Sequence, residues 1–287
     1  MAHGRESAAE NVAAQYSTFS LAHAAEELVR AGPGSTVDWH GTSLITHFQP
    51  VFNVRLQKCY GFEALVRAVD DSGAVTWEEL HERTGAPART LLDWTCRAMH
   101  LRNYATMDSG DLALFLNVHP EAAVHDAGRT REFAGLIRYY GLVPKRLCVE
   151  ILPAPCSSES KLREAVEGYR GLGASIAMDG FGMGCSNLDR VARLRPDVVK
   201  IDRVSLARST GGERLRRMLP GMIDLLHEAN TKVAVEGIES RSEALFAIDA
   251  KADFLQGFFF AQPQEGLGGP AARRLDELLD PSRLAAA

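Results

Sequence analysis

The stretch SIAMDGFGMGCSNL, Ser175–Leu188, sets the pattern for the whole chain. Its first four residues read as a buried strand, and a single carboxylate, Asp179, ends it. Gly180, Gly182 and Gly184 then loosen the backbone before a helix begins. An acid at the lip of an apolar strand is costly to bury unless something compensates it. The same arrangement recurs in both directions along the sequence.

From Ile45 onward, short apolar runs alternate with helical stretches. The strand candidates are ITHFQPVFNV, GFEALVRA, LALFLNVHP, RLCVEIL, SIAMDGF, DVVKID, KVAVEGI and FLQGFFFA. Amphipathic segments such as PARTLLDWTCRAMHLRNYA, ESKLREAVEGYRGLG and GERLRRMLPGMIDLLHEAN separate them. Buried strands alternating with helices of this length indicate βα units. About eight such strands are what a closed (β/α)8 TIM-like barrel requires. An open doubly wound sheet is the alternative, but the G-x-G-x-x-G turn that usually announces one is absent. The pattern predicts a leader helix and linker over residues 1–40, a barrel over 41–265, and a C-terminal helix and tail over 266–287.

With 287 residues and 46% hydrophobic content, the chain can bury a large core. A formal net charge of -5, with Lys and Arg dispersed, argues against DNA binding, which needs a concentrated basic footprint. The five cysteines form no C-x-x-C pair, and the nine histidines show no H-E-x-x-H spacing. No apolar run reaches membrane-spanning length, and no signal peptide is evident, so a cytoplasmic location is expected.

The informative residues sit where strands end: Glu63, Asn117, Glu150, Asp179, Lys200, Glu236 and Gln256. Any one of them could be an ordinary ion pair or a misplaced strand boundary, but one on each of seven successive strands is a pattern. In a barrel these ends converge on one face, where active sites are built. Converging carboxylates repel and raise one another's pKa, so a central cation is expected. Carboxylate and amide oxygens form a hard ligand set suited to Mg²⁺ or Mn²⁺ rather than zinc. Lys200 could itself be a salt-bridge partner of the acids, which is compatible with a role in positioning water or phosphate.

FEALVR, LNVH, VEIL, MDGFGMG, VVKID, VEGIE and LQGFFFAQP follow the order and approximate spacing of the EAL domain family. The sequence resembles that family from Ile45 to Pro263. The resemblance implies a (β/α) barrel with one antiparallel strand, and an activity that opens cyclic di-GMP to linear pGpG. It implies Glu63, Asn117, Glu150 and Asp179 as metal ligands, with Lys200 and Glu236 holding and activating the attacking water. It further implies Gln256 near the scissile phosphate, Glu239 as a supporting acid, and Arg67 clasping a phosphate or guanine of the ligand. Leu65 is either a ligand contact or plain core packing. A homodimer is implied by the resemblance only.

The sequence also departs from that family. Gly180 stands where a second aspartate would serve a second metal, and Pro153 where a glutamate would brace the same loop. The usual serine two residues after the asparagine is His119. Glycine offers a hard cation nothing beyond its carbonyl, so a weakened second metal site is expected. Three readings follow: a partly degenerate member that binds cyclic di-GMP with hydrolysis weakened or lost, an active phosphodiesterase, or a protein-interaction module. In the first, coupling to a signalling partner protein would run through the leader or terminal helices.

Overall fold

The computed structural model describes residues 21–31, 36–107, 110–204 and 212–280; the start of the expected leader helix and the end of the expected tail lie outside them. Among the described residues ten strands form one sheet. They are β1 Thr36–Trp39, β2 Thr42–Asn53, β3 Lys58–Asp70, β4 Gly73–Val75, β5 Ala113–Val118, β6 Leu147–Ile151, β7 Ser175–Met178, β8 Val198–Asp202, β9 Lys232–Glu236 and β10 Phe254–Leu255. The order β2-β10-β9-β8-β7-β6-β5-β3 closes into a barrel because β3 also pairs with β2. β2 is antiparallel to both of its ring neighbours, and the other ring pairings are parallel. The expected TIM-like barrel with one reversed strand is therefore the observed fold.

The helices are α1 Leu21–Ala31, α2 Trp77–Arg83, α3 Ala86–Ala105, α4 Pro120–Asp126, α5 Thr130–Tyr139, α6 Glu159–Leu172, α7 Leu188–Leu194, α8 Gly212–Glu228, α9 Arg241–Asp249 and α10 Leu275–Leu279. Their ends follow local chemistry. Thr76 with Glu79, and Ser240 with Glu243, form capping boxes that satisfy orphan N–H groups at the starts of α2 and α9. Asn187 caps α7, which fixes where the glycine loop after β7 stops. α1 buries Ala24, Ala25 and Val29 completely and packs mainly on α3.

Strand alternation then builds the barrel interior in two layers. Val51, Ala113, Phe115, Cys148, Ala177, Val198, Ala234 and Phe254 form one buried apolar cluster. Side chains two residues apart share a strand face. Two residues further along the parallel strands stand Asn117, Glu150, Asp179, Lys200, Glu236 and Gln256. An apolar floor therefore carries a polar storey, open at the C-terminal ends of the strands. On reversed β2 the matching residue lies two positions before Val51, and it is Gln49.

Two expectations need adjustment. FLQGFFFA is a strand only at Phe254–Leu255. Beyond Gln256 the chain turns, with Phe259 N–H donating to the Ile238 carbonyl and Ala261 N–H to that of Gly257. Thr36–Trp39, within the expected linker, pairs antiparallel with β2.

Candidate active site

Lys200 stands at the centre of the polar storey. It is 1% exposed, and its Nζ lies 2.8 Å from Glu63 Oε2, 2.6 Å from Glu150 Oε1 and 3.3 Å from Glu236 Oε2. The central cation that the converging acids call for is thus supplied, in part, by the chain itself. The three neighbouring carboxylates hold the Lys200 pKa well above its ordinary value, although burial alone would lower it.

One ammonium cannot neutralise four acids, and the acids divide accordingly. Glu63 is deeply buried, which opposes ionisation. It nevertheless accepts hydrogen bonds from Lys200, from Asn117 Nδ2 at 2.9 Å and from Gln256 Nε2 at 2.8 Å, and these hold its pKa below the usual carboxylate range. Burial pushes Glu150 well up, and the Glu63 charge adds to the effect. Burial likewise raises Glu236 and Asp179, against the pull of Lys200.

Those three raised acids also lie together: one oxygen each from Glu150, Asp179 and Glu236 falls within 4.8 Å of the others. Glu150 Oε2 and Glu236 Oε1 are buried and accept no hydrogen bond among the described residues. Clustered carboxylate oxygens, two of them without a hydrogen-bond partner among the described residues, fit a hard divalent cation. Glu236, expected as a water-holding group, therefore sits within this donor set. Glu63, expected as a ligand, accepts hydrogen bonds from Lys200, Asn117 and Gln256 beside that set.

The remaining sequence candidates lie around this core. Leu65 and Arg67 line a cavity of about 240 Å³ that also reaches Glu63, Asn117 and Asp179. Arg67 is exposed, with Nη1 donating to the neighbouring Val66 carbonyl. Glu239 is exposed and lines a second recess with Glu236, Gln256 and Phe258.

Several residues escaped the sequence reading. Gln49 accepts from Gln256 at 3.1 Å and donates to the Ala261 carbonyl at 3.0 Å, so it orients the amide that reaches Glu63. Asp93, Cys96 and His100 line the inner wall of the Arg67 cavity from α3. Their three- and four-residue spacing on a helix was the available signal. Asp93 also accepts from the His119 N–H at 2.9 Å, tying α3 to the strand end that carries Asn117.

At the lip of β7 the departures noted in the sequence meet. Gly180 has φ +61, and a Cβ built on it would lie 3.0 Å from Pro153 Cγ and 3.3 Å from Pro153 Cβ. No side-chain donor is available at this position for a second cation.

A family model described as EAL domain matches residues 36–263. The chain is 28% identical over 253 residues to an uncharacterized protein of Azorhizobium caulinodans, covering 84% of this chain and 34% of that protein. It is 27% identical over 228 residues to the uncharacterized EAL-domain containing protein YkuI of Bacillus subtilis, covering 77% of this chain and 55% of that one. The chain thus spans roughly a third to a half of these relatives' length. The solved structure of YkuI in complex with cyclic di-GMP and calcium is similar at a TM-score of 0.67 and 26% identity, over 79% of this chain and 57% of that one. A standalone EAL protein of Vibrio cholerae, solved with cyclic di-GMP bound, shares the fold at a TM-score of 0.68 and 24% identity, over 78% of this chain and 93% of that one. The family match spans the barrel and every polar residue of its upper storey: the chain belongs to the EAL domain family.

Proposed function

We propose that this chain is a cyclic di-GMP receptor of the EAL family whose phosphodiester hydrolysis is weakened or lost through Gly180 and Pro153. The observation that carries the reading is the contact between those two residues. A Gly180 side chain would press on the Pro153 ring, its Cβ 3.0 Å from Cγ, while three acids that could hold one cation lie together. Hydrolysis between two ions needs both in place, whereas binding needs only one of them and the phosphate contacts.

In this reading one Mg²⁺ or Mn²⁺ is held by Asp179, Glu150 and Glu236, with Glu63 and Asn117 beside them. When bound, such an ion polarises a phosphoryl oxygen and lowers the pKa of water. Arg67, exposed at the cavity rim, pairs with a phosphate or with a guanine, and Leu65 contacts the ligand beside it. Gln256, oriented by Gln49 and Glu63, is a polar group near the phosphate, and Glu239 supports the loop after β9. A homodimer and a signalling partner belong to the same proposal.

A second reading, an active phosphodiesterase producing pGpG, is favoured by the retained Lys200–Glu236 pair at 3.3 Å. In that reading the Lys200 ammonium holds the attacking water and the Glu236 carboxylate takes up its proton. Incubation with cyclic di-GMP and Mg²⁺ or Mn²⁺, followed by chromatography for pGpG, separates the two. Turnover above about one per second, an ordinary enzyme rate, would overturn the receptor reading. Calorimetry in calcium that detects no binding of cyclic di-GMP would overturn both.

A further inference from the structure

α1 lies ahead of the EAL domain match, which begins at residue 36, and packs mainly on α3 and also on α5. Ala24, Ala25 and Val29 are fully buried in that seat. In its last turn Arg30 Nε and Nη2 donate to the Tyr139 hydroxyl of α5 at 3.0 and 2.7 Å, and the guanidinium lies 4.8 Å from the centre of that ring. Arg102 of α3 ties the same turn. Its Nη1 donates to the Val29 carbonyl, one of the last four that a helix leaves unpaired.

The hydrogen bonding continues inward from Arg102. Its Nε donates to Asn103 Oδ1 at 3.2 Å, Asn103 Nδ2 donates to Thr46 Oγ1 at 3.0 Å, and Thr46 Oγ1 lies 2.8 Å from His100 Nδ1. Asn103, Thr46 and His100 are buried, and His100 lines the Arg67 cavity with Glu63 and Asn117. Thr46 already accepts from Asn103, and its hydroxyl proton has no acceptor among the described residues other than His100. That proton goes to Nδ1, so the neutral ring carries its own proton on Nε2. From Arg102 to the cavity wall every donor points the same way. Aligned hydrogen bonds polarise one another, so losing one weakens the rest.

We infer that α1 is a regulatory strap: its seating on α3 and the occupation of the Arg67 cavity favour each other through the Arg102–Asn103–Thr46–His100 chain. This rests on the cyclic di-GMP reading, in which that cavity takes the ligand, and names how the site is regulated. The two states are α1 seated and α1 lifted. One planar guanidinium serves both the Val29 carbonyl and Asn103, so lifting α1 releases the outer end of the chain. A wall ordered before the ligand arrives lowers the cost of binding, which sets the sign. The coupling is reciprocal: whatever lifts α1 lowers affinity by the factor with which the ligand holds it down.

The test is hydrogen exchange on the full chain in calcium, with and without saturating cyclic di-GMP. Exchange over residues 24–31 is expected to slow about fivefold in the parent, the lower end of typical coupling. Ala25→Glu, which forces a charge into the seat, should weaken cyclic di-GMP by about the same factor in calorimetry. Thr46→Val removes the hydroxyl in the middle of the chain; it should still bind the ligand but lose the ligand's effect on α1. Thermal melts check that each variant is folded, and Arg102→Lys, which lacks the planar fork, replaces Thr46→Val if that one is not. Three results overturn the strap while leaving cyclic di-GMP binding intact: α1 exchange that ignores the ligand in the parent, full protection of α1 in the cut-chain variant, or parental affinity in a folded Ala25→Glu. Absence of binding by the parent chain overturns the underlying reading, and the strap with it.

Discussion

Pro153 is clasped by both ends of the glycine loop that follows β7. Gly180 faces its ring, and a Cβ built on Gly184 would lie 2.8 Å from its carbonyl oxygen. The two departures at 153 and 180 are therefore one structural feature: a proline where a side chain would otherwise project, and a glycine that makes room for it.

This coupling predicts the result of restoring the acid. Gly180→Asp alone places an L-residue at φ +61 against the Pro153 ring. It should cost about 1 kcal/mol or more of stability and leave pGpG formation little changed. Combining it with Pro153→Glu replaces the fixed ring with a chain that can rotate away from residue 180, and hydrolysis should rise at least about tenfold over the parent, equivalent to about 1.4 kcal/mol of barrier. Melting curves and a chromatographic assay of the three proteins check this. Full activity from the single substitution would show that the proline is no obstacle.

Lys200→Met tests how the acids are tolerated together. Removing the ammonium leaves Glu63 and Glu150 facing each other in a buried site, and breaking such a pair costs about 3–5 kcal/mol. A divalent cation that binds the folded state should then recover stability, raising the melting temperature more in the variant than in the parent. Equal melting temperatures without metal, or no added response to calcium or manganese, would sink this account of Lys200.

The barrel and its polar storey were legible in the sequence because seven parallel strands place their last inward residue at the same end. Asn117, Glu150, Asp179, Lys200, Glu236 and Gln256 each follow an apolar floor residue by two positions, a spacing visible without coordinates. Gln49 was hidden because β2 runs the other way, so its upper residue comes early in the strand rather than at its end. The part Lys200 plays was only half legible. Sequence identifies a lysine among acids, but distances of 2.6 and 2.8 Å are needed to show that it supplies the counter-charge. The stacking of the Trp77, His81 and His119 rings was not legible at all. Trp77 and His81 lie on a seven-residue helix, His119 caps another, and only the tertiary fold stacks them.

Behind the site, Arg97 holds α3 to α4. It is fully buried, lies 2.6 Å from Asp93 and 2.7 Å from Asp126, and rests over the Trp94 ring at 4.2 Å. Trp94 Nε1 and the Tyr169 hydroxyl also donate to Asp126. Arg97→Met would strand two buried carboxylates, and a loss of about 3–5 kcal/mol in urea unfolding is expected. Arg97→Lys keeps the charge but not the fork that reaches both acids, and should fall between the two. A methionine variant within about 1 kcal/mol of the parent would show that the network contributes little.

The last prediction concerns acid. His100 is buried on α3, with Nδ1 2.8 Å from Thr46 Oγ1. Burial lowers its pKa from 6.5 to about 3, against the opposite pull of the Glu63 carboxylate. A depressed histidine pKa means that the unfolded chain takes up this proton first as pH falls. Its contribution to stability is complete above 6.5 and is lost progressively as pH falls to about 3. At about pH 5 the loss amounts to about 2 kcal/mol. His100→Gln retains a hydrogen-bonding partner for Thr46 and cannot titrate, so it removes this term alone. Urea unfolding of both proteins at about pH 7.5 and about pH 5 should show the parent losing about 2 kcal/mol more than the variant. If the two proteins instead lose stability in parallel, His100 already carries its proton in the folded chain and the buried wall of the Arg67 cavity is wetter than its packing implies.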